Sequence, residues 1–324
     1  MNNESILVTG GAGFIGSNVS DKLISLGKKV ICLDDFNDYH DPEIKERNIR
    51  KLLSLGNFLL YRGDIRDSEL VGLIFNKNKP NKVIHLAARA GVRNSFQNPE
   101  LYNDVNVNGT RNLLDASVSH SVKNFIFASS SSVYGTNKKT PFSESDEIED
   151  LISPYAETKK QGELLASDFA NNKNLNINCL RFFTVYGPRG RRDMAPYKFV
   201  DSIFKGIPIK IFTDEQSYTS DGFARDYTYV DDIVSGIITS LNYYNNFEIF
   251  NLGNGNPISI NQFISTIEKV TGRKSIKEFV GRQEGDVPIT YADISKAKQL
   301  LGYNPQTPIS EGINKYFKWY QLNN

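Results

Sequence analysis

Tyr155 and Lys159 stand four residues apart in the segment YAETK, and residues at that spacing share one face of a helix. A free phenol titrates near ~10 and is a poor base at neutral pH. A neighbouring ammonium favours the phenolate, as would an oxidised nicotinamide, so the pair is expected to lower the phenol's pKa and make Tyr155 a general base. Such pairs are also common on solvated helices. The context here is a run of four serines at 129–132, with Ser130 placed 25 residues before Tyr155, where a hydroxyl could donate to the same substrate group or relay its proton. A second concentration of chemistry is RFFTVYGPRGRRDMAP at 181–196, with arginines at 181, 189, 191 and 192 and one acid, Asp193. That much positive charge beside an aromatic strand end implies an anion.

A third is GGAGFIG at 10–16, directly after the apolar run SILVT, with glycines at 10, 13 and 16. Glycine permits positive φ and close approach of a diphosphate, and the N–H groups of the helix that follows face that anion. Gly10, Gly13, Phe14, Ile15 and Gly16 are therefore expected to hold a dinucleotide. Asp34, with Asp35 and Asn37 beside it, ends the next β-rich run. A carboxylate there accepts both ribose hydroxyls and repels a 2′-phosphate, favouring NAD over NADP. Asp64 and Ile65 are placed to meet the adenine, with a helix N-cap as the alternative for Asp64. Leu86, Ala87 and Ala88 end the fourth run with side chains that let the cofactor pass close by, and Arg89 follows them.

Strand-like runs at 5–9, 30–33, 58–61, 83–86, 124–128 and 177–182 alternate with helix-like patterns at 15–26, 42–55, 68–76, 99–119 and 155–170. This predicts an α/β fold, a doubly wound parallel sheet of Rossmann-like type with helices on both faces, and ligands at the carboxyl ends of the strands. Beyond Gly187 prolines punctuate shorter elements. Residues 1–186 are expected to form the dinucleotide-binding domain, with 229–251 returning to it, and 187–324 a smaller substrate lobe. A net charge of +1 supplies no global field for nucleic acid or an anionic membrane. No apolar run is long enough to span a bilayer, and MNNESILVTGG lacks the basic and apolar regions of a signal peptide. Two cysteines, Cys32 and Cys179, in apolar runs fit buried thiols in a reducing compartment. A cytoplasmic protein without metal is expected.

TGGAGFIG, Asp34, HLAARAG, ASSSSVYG, SPYAETKK and RDYTYVDD, in this order, resemble the extended short-chain dehydrogenase/reductase family across nearly the whole chain. The resemblance implies Tyr155 as base and acid, Lys159 as its electrostatic partner and ribose ligand, and Ser130 as the hydroxyl partner. Dehydratases and decarboxylases of the family carry acids where this chain has Ser131 and Ser132. Simple epimerisation is implied, with both serines as substrate contacts or strand-end caps.

The 181–196 block, with SSSSVYG and ARAGVRNS, is similar to that of UDP-glucuronate 4-epimerases. This implies that Thr184 and Arg191 receive a sugar carboxylate, which guanidinium can fork. It also implies that Asp193 belongs to a segment closing over the diphosphate and that Arg225 clamps the UDP phosphates. Phe212 would pack on uracil, with core packing as the alternative, and Asp286 would meet the uridine ribose. Arg189 and Arg192 read as solvated turn charges, with the diphosphate as the other place for one of them. Gln283 stands where many 4-epimerases have arginine, and the segment between Phe212 and Arg225 has the length found in UDP-galactose 4-epimerases. UDP-glucose or UDP-N-acetylglucosamine therefore stay open as substrates, and a non-catalytic dinucleotide-binding regulator is the remote alternative. The family implies a homodimer through the helices at 99–119 and 155–170.

Overall fold

Alternation within the strands sets the layers. Ile6 and Val8 pack into one apolar cluster while Leu7 packs into another, and Val30 and Cys32 are separated from Ile31 and Leu33 in the same way. A strand exposes successive side chains to opposite faces, so a strand apolar at every position needs cover on both sides, as in a parallel sheet. Each fully buried Val, Leu or Ile contributes ~1.5–3 kcal/mol.

The computed structural model describes residues 4–39, 41–148, 150–213, 215–219, 223–281 and 287–323. In chain order its elements begin β1 (Ser5–Thr9), α1 (Phe14–Ser25), β2 (Lys29–Asp34), α2 (Pro42–Ile49), β3 (Phe58–Arg62), α3 (Ser68–Asn78) and β4 (Lys82–His85). There follow α4 (Val92–Gln97), α5 (Pro99–Asn103), a π-helical turn at Asp104–Asn108, α6 (Gly109–Ser119), β5 (Asn124–Ser130), α7 (Pro154–Lys173), β6 (Ile177–Phe182) and β7 (Thr184–Tyr186). The remainder holds α8 (Ala195–Lys205), β8 (Ile209–Ile211), α9 (Glu215–Thr219), β9 (Ala224–Arg225), β10 (Tyr227–Tyr229), α10 (Val230–Ser240) and β11 (Phe247–Leu252). Shorter strands and the helices Ile260–Thr271, Ser295–Leu301 and Ile309–Asn323 complete it.

Seven parallel strands form the main sheet in the order β11-β6-β5-β4-β1-β2-β3. The chain leaves β1 towards β2 and β3, then crosses to β4 on the other side, so the order reverses between β1 and β4. Ligands of open α/β sheets collect at such a switch point. The late strand β11 pairs with β6, Phe247 opposite Ile177 through Leu252 opposite Phe182. Two expected boundaries shift. The 42–55 pattern breaks into α2 and a 3-10 turn at Leu52–Ser54, and the 99–119 pattern contains the π turn. The π turn is a single turn inside a continuous helical run, and a pattern read at one fixed helical period does not mark where it falls.

Candidate active site

The glycine turn shows why it must be glycine. Gly10 has φ +65°, and a Cβ there would lie 2.8 Å from the Ala87 nitrogen; on Gly16 it would lie 2.1 Å from the Gly10 carbonyl oxygen. The turn thus brings the ends of β1 and β4 together. Helix α1 starts at Gly13 with no side-chain cap on its first N–H groups, which leaves them for an anion. Asp34 anchors the turn from β2: its Oδ2 accepts from the Ala12 N–H at 3.1 Å and its Oδ1 from the Phe36 N–H at 3.0 Å and the Lys45 ammonium at 2.7 Å. These residues fit a dinucleotide diphosphate and ribose. Lys45 partly cancels the charge of Asp34, so the repulsion of a 2′-phosphate expected from a bare carboxylate is weakened. A lysine on the charged helix α2 reads as solvated, which is why the sequence did not reveal it.

Asp35 accepts from Asn37 and Lys45, and Asn37 accepts from an Arg89 Nη1–H at 3.0 Å. Asp64 does not cap a helix. Asp67 caps α3 by accepting from the Leu70 N–H, while Asp64 forms an ion pair with Arg66 at 2.7 Å. Burial pushes the Asp64 carboxyl up, and its bonds to Arg66 more than reverse this, leaving it below the usual range.

The ends of β5 and α7 bring the reacting groups together. Ser153 caps α7 by accepting from the Ala156 N–H, with Pro154 in the first turn, which places Tyr155 at the helix start. The Ser130 hydroxyl accepts from the Ser132 hydroxyl at 3.0 Å and the Ser132 N–H at 3.2 Å, and it lies close enough to Tyr155 to oppose the rise of that phenol's pKa. The strand-end cap is therefore Ser130 rather than Ser131 or Ser132. The expected lowering of the Tyr155 phenol is not found in the chain alone. Burial raises it above its ordinary value, against the opposing pull of Ser130 and Arg191. Lys159 is 6.0 Å from the Tyr155 ring centre and donates to the Ala128 carbonyl at 2.7 Å. Burial lowers the Lys159 ammonium to about 8, with Glu163 opposing the shift.

Arg191 is gripped on one edge: its Nε and Nη2 donate to the two Asp193 carboxylate oxygens at 3.0 and 2.6 Å. Burial alone would lower the guanidinium, and Asp193 outweighs it and raises it. Guanidinium has five N–H donors, so the far edge of Arg191 remains for a second acceptor. Arg189 pairs with Asp21 of α1 at 2.6 Å and is half-buried rather than solvated, whereas Arg192 is exposed and lies over the Tyr197 ring at 5.6 Å. Phe212 carries the Arg93 guanidinium on its ring at 4.6 Å. An Arg225 N–H donates to the Ala224 and Pro288 carbonyls.

One cavity of about 990 Å³ gathers these groups. Gly10, Gly13, Phe14, Ile15, Gly16, Asp34, Asp35, Asn37, Asp64, Ile65, Leu86, Ala87, Ala88 and Arg89 line one part. Ser130, Ser131, Ser132, Tyr155, Lys159, Thr184, Arg191, Asp193, Phe212 and Arg225 line the rest. Asp286 and Gln283 lie outside the described residues. Tyr39 and Gly91 also line the cavity and were not singled out from the sequence. A Cβ on Gly91, whose φ is +107°, would sit 2.8 Å from the Tyr39 hydroxyl and 3.3 Å from the Arg191 Nη2, so glycine lets these two side chains reach the cavity. Among the described residues no His, Cys, Asp or Glu group could hold a metal, and no helix is long and apolar enough to cross a membrane.

Residues 7–316 match the GDP-mannose 4,6 dehydratase family, and the chain belongs to it. It is 43% identical to the UDP-glucuronate 4-epimerase of Thermodesulfobacterium geofontis, over 98% of this chain and 96% of that one. The UDP-glucuronic acid 4-epimerase of Bacillus cereus, solved with UDP-glucuronic acid and NAD, superposes with a TM-score of 0.91 at 34% identity, covering 99% of this chain and 100% of that chain. The UDP-glucose 4-epimerase of Thermotoga maritima, solved with UDP-glucose, gives 0.89 at 34% identity, covering 98% and 99%.

Proposed function

We propose that the chain interconverts UDP-glucuronate and UDP-galacturonate by NAD-dependent epimerisation at C4. The observation that carries this is Arg191, a guanidinium held in the same cavity as Tyr155 and Ser130 with one edge fixed by Asp193. Its free edge suits the C6 carboxylate, with Thr184 beside it. Bound NAD would supply a reversible hydride acceptor for C4. Tyr155 takes the C4 hydroxyl proton, keeps it while the sugar is a 4-ketone, and returns it when the hydroxyl reforms. Ser130 donates its one hydroxyl proton to the substrate oxygen. Lys159, charged below about pH 8, favours the phenolate and holds the nicotinamide ribose.

A 4-keto uronate is a β-keto acid and loses CO₂ readily. Pairing its carboxylate with Arg191 keeps the negative charge that decarboxylation must delocalise. Ser131 and Ser132 supply no acid for dehydration and serve as sugar contacts. The segment that includes Asp193 closes over the diphosphate, Arg225 clamps the phosphates, Phe212 stacks on uracil by the face opposite Arg93, and Asp286 meets the uridine ribose. Residues 1–186 with 229–251 act as the cofactor domain and the remainder as the sugar-nucleotide lobe, in a cytoplasmic homodimer.

The test is NMR of purified protein with UDP-glucuronate and no added cofactor. UDP-galacturonate is expected; unchanged substrate, or a UDP-pentose with CO₂, rejects the assignment. One observation favours a second reading. Asp193 already balances the charge of Arg191, so a neutral hexose would leave no bare cation, and UDP-glucose belongs in the same assay.

A further inference from the structure

Three successive residues of β5 each face one residue of α7. The Ala128 carbonyl accepts from Lys159 at 2.7 Å and the Ser129 hydroxyl donates to Glu163 at 2.7 Å, while Ser130 lies close enough to Tyr155 to act on its phenol. The three helix positions are four apart, one stripe on one face. Two of them belong to the reaction proposed above; Glu163 has no part in it. Glu163 is 2% exposed, and its carboxylate is forked by Arg181 of β6, Nε to Oε1 at 2.8 Å and Nη2 to Oε2 at 2.8 Å. Arg181 is 1% exposed and stacks on Tyr134 at 4.8 Å, and the Tyr134 hydroxyl donates to Asn251 of β11.

Burying two charges costs more solvation than an ordinary ion pair returns, and apolar replacements often serve stability as well. The pair needs another reason, and its position offers one. We propose that Glu163, held by Arg181, is a positioning residue that fixes the register of α7 on β5 and so sets the distance between Tyr155 and Ser130 and the seat of the Lys159 ammonium. Gly162 brings the helix close enough, since a Cβ there would lie 2.3 Å from the Phe127 ring. The carboxylate also has an electrostatic effect one turn from Lys159. Glu163, and after it Cys179 of β6, opposes the loss of that ammonium's proton to burial, and Lys160 shares the Glu163 carboxylate at 3.6 Å, so removal of Glu163 makes Lys159 lose its charge at lower pH. Because Arg181 lies two residues before Phe183 and three before Thr184, the same fork registers the strand that leads to the proposed carboxylate contact.

This inference rests on the epimerase reading, so kinetics use whichever UDP-sugar the parent turns over best, and a structural readout needs no substrate. Glu163→Gln strands Arg181, so the principal variant is the double Glu163→Gln/Arg181→Met, checked for folding by circular dichroism. The expected result is a kcat lower by about tenfold with KM within about twofold, and an alkaline limb of kcat moved down by about one pH unit. Glu163→Asp should recover part of the kcat. A crystal structure of the holoenzyme double variant should show Tyr155 displaced from Ser130. A folded double variant with parental kcat, parental pH limb and an unmoved Tyr155 overturns the proposal. Should the double variant not fold, Ser129→Ala decides: it removes one Glu163 bond without touching a charge. A several-fold loss of kcat at constant KM supports the proposal, and parental kcat overturns it. A parent inactive on UDP-glucuronate but active on UDP-glucose rejects the uronate assignment alone.

Discussion

Burial raises the Tyr155 phenol while Ser130 and Arg191 pull it down, and burial wins. At neutral pH the cofactor-free chain therefore holds Tyr155 protonated, and bound NAD⁺ would supply a positive charge that favours the phenolate. In a parent-minus-Tyr155→Phe difference spectrum, the cofactor-free protein should show no phenolate band at neutral pH, and the band should appear later on the alkaline side than for a free phenol. The same variant should lose turnover by about 10²- to 10⁴-fold with little change in melting temperature. Lys159 gives a sign that can be checked. Its folded value of about 8 lies below the ordinary 10.5, so the folded chain releases this proton first. The cost of burying the charge is present in full below about pH 8 and fades between about 8 and 10.5. Lys159→Met should thus gain stability relative to the parent at pH 7, and that gain should shrink across the same range in thermal melts. Its activity should be lost throughout.

At the scale of elements, close backbone approach sets the tolerances. Gly16→Ala would press a Cβ to 2.1 Å from the Gly10 carbonyl, costing ~1–3 kcal/mol and distorting the turn where the diphosphate should sit. Protein purified with this substitution should carry far less bound NAD than the parent, measured by absorbance of the released dinucleotide. Ser153→Ala removes the only side-chain cap at the α7 N-terminus described here, a loss of about 1 kcal/mol that should appear in both melting temperature and kcat. The six main strands before β7 were legible because most of their residues are apolar on both faces, and the first three are also followed by glycine or acid at Gly10, Asp35 and Gly63. The cofactor turn was legible because few residue types fit a strand–helix turn that tight. The Lys45–Asp34 pair, the Asp193 grip on Arg191 and the Glu163–Arg181 fork were not. Charged residues on a helix or in a turn look solvated until tertiary packing covers them, and nothing in local spacing marks which will be covered.

For the molecule as a whole, the cavity joins groups contributed from Gly10 to Thr290, so loss of any one layer should be felt by all. Arg189 bound to Asp21 ties the turn after β7 to α1, and α10 packs on α1. The Arg189–Asp21 pair couples the sugar side to the cofactor side, while the packing of α10 on α1 lies within the cofactor side. Strand β11 has a consequence for how the protein is made. Until it arrives, β6 presents an open edge of unpaired backbone groups, and such edges recruit other chains. A ribosome must therefore deliver about 250 residues before that border closes, and a fragment ending at 186, although it holds every glycine of the cofactor turn, should aggregate rather than fold when expressed alone, as light scattering would show.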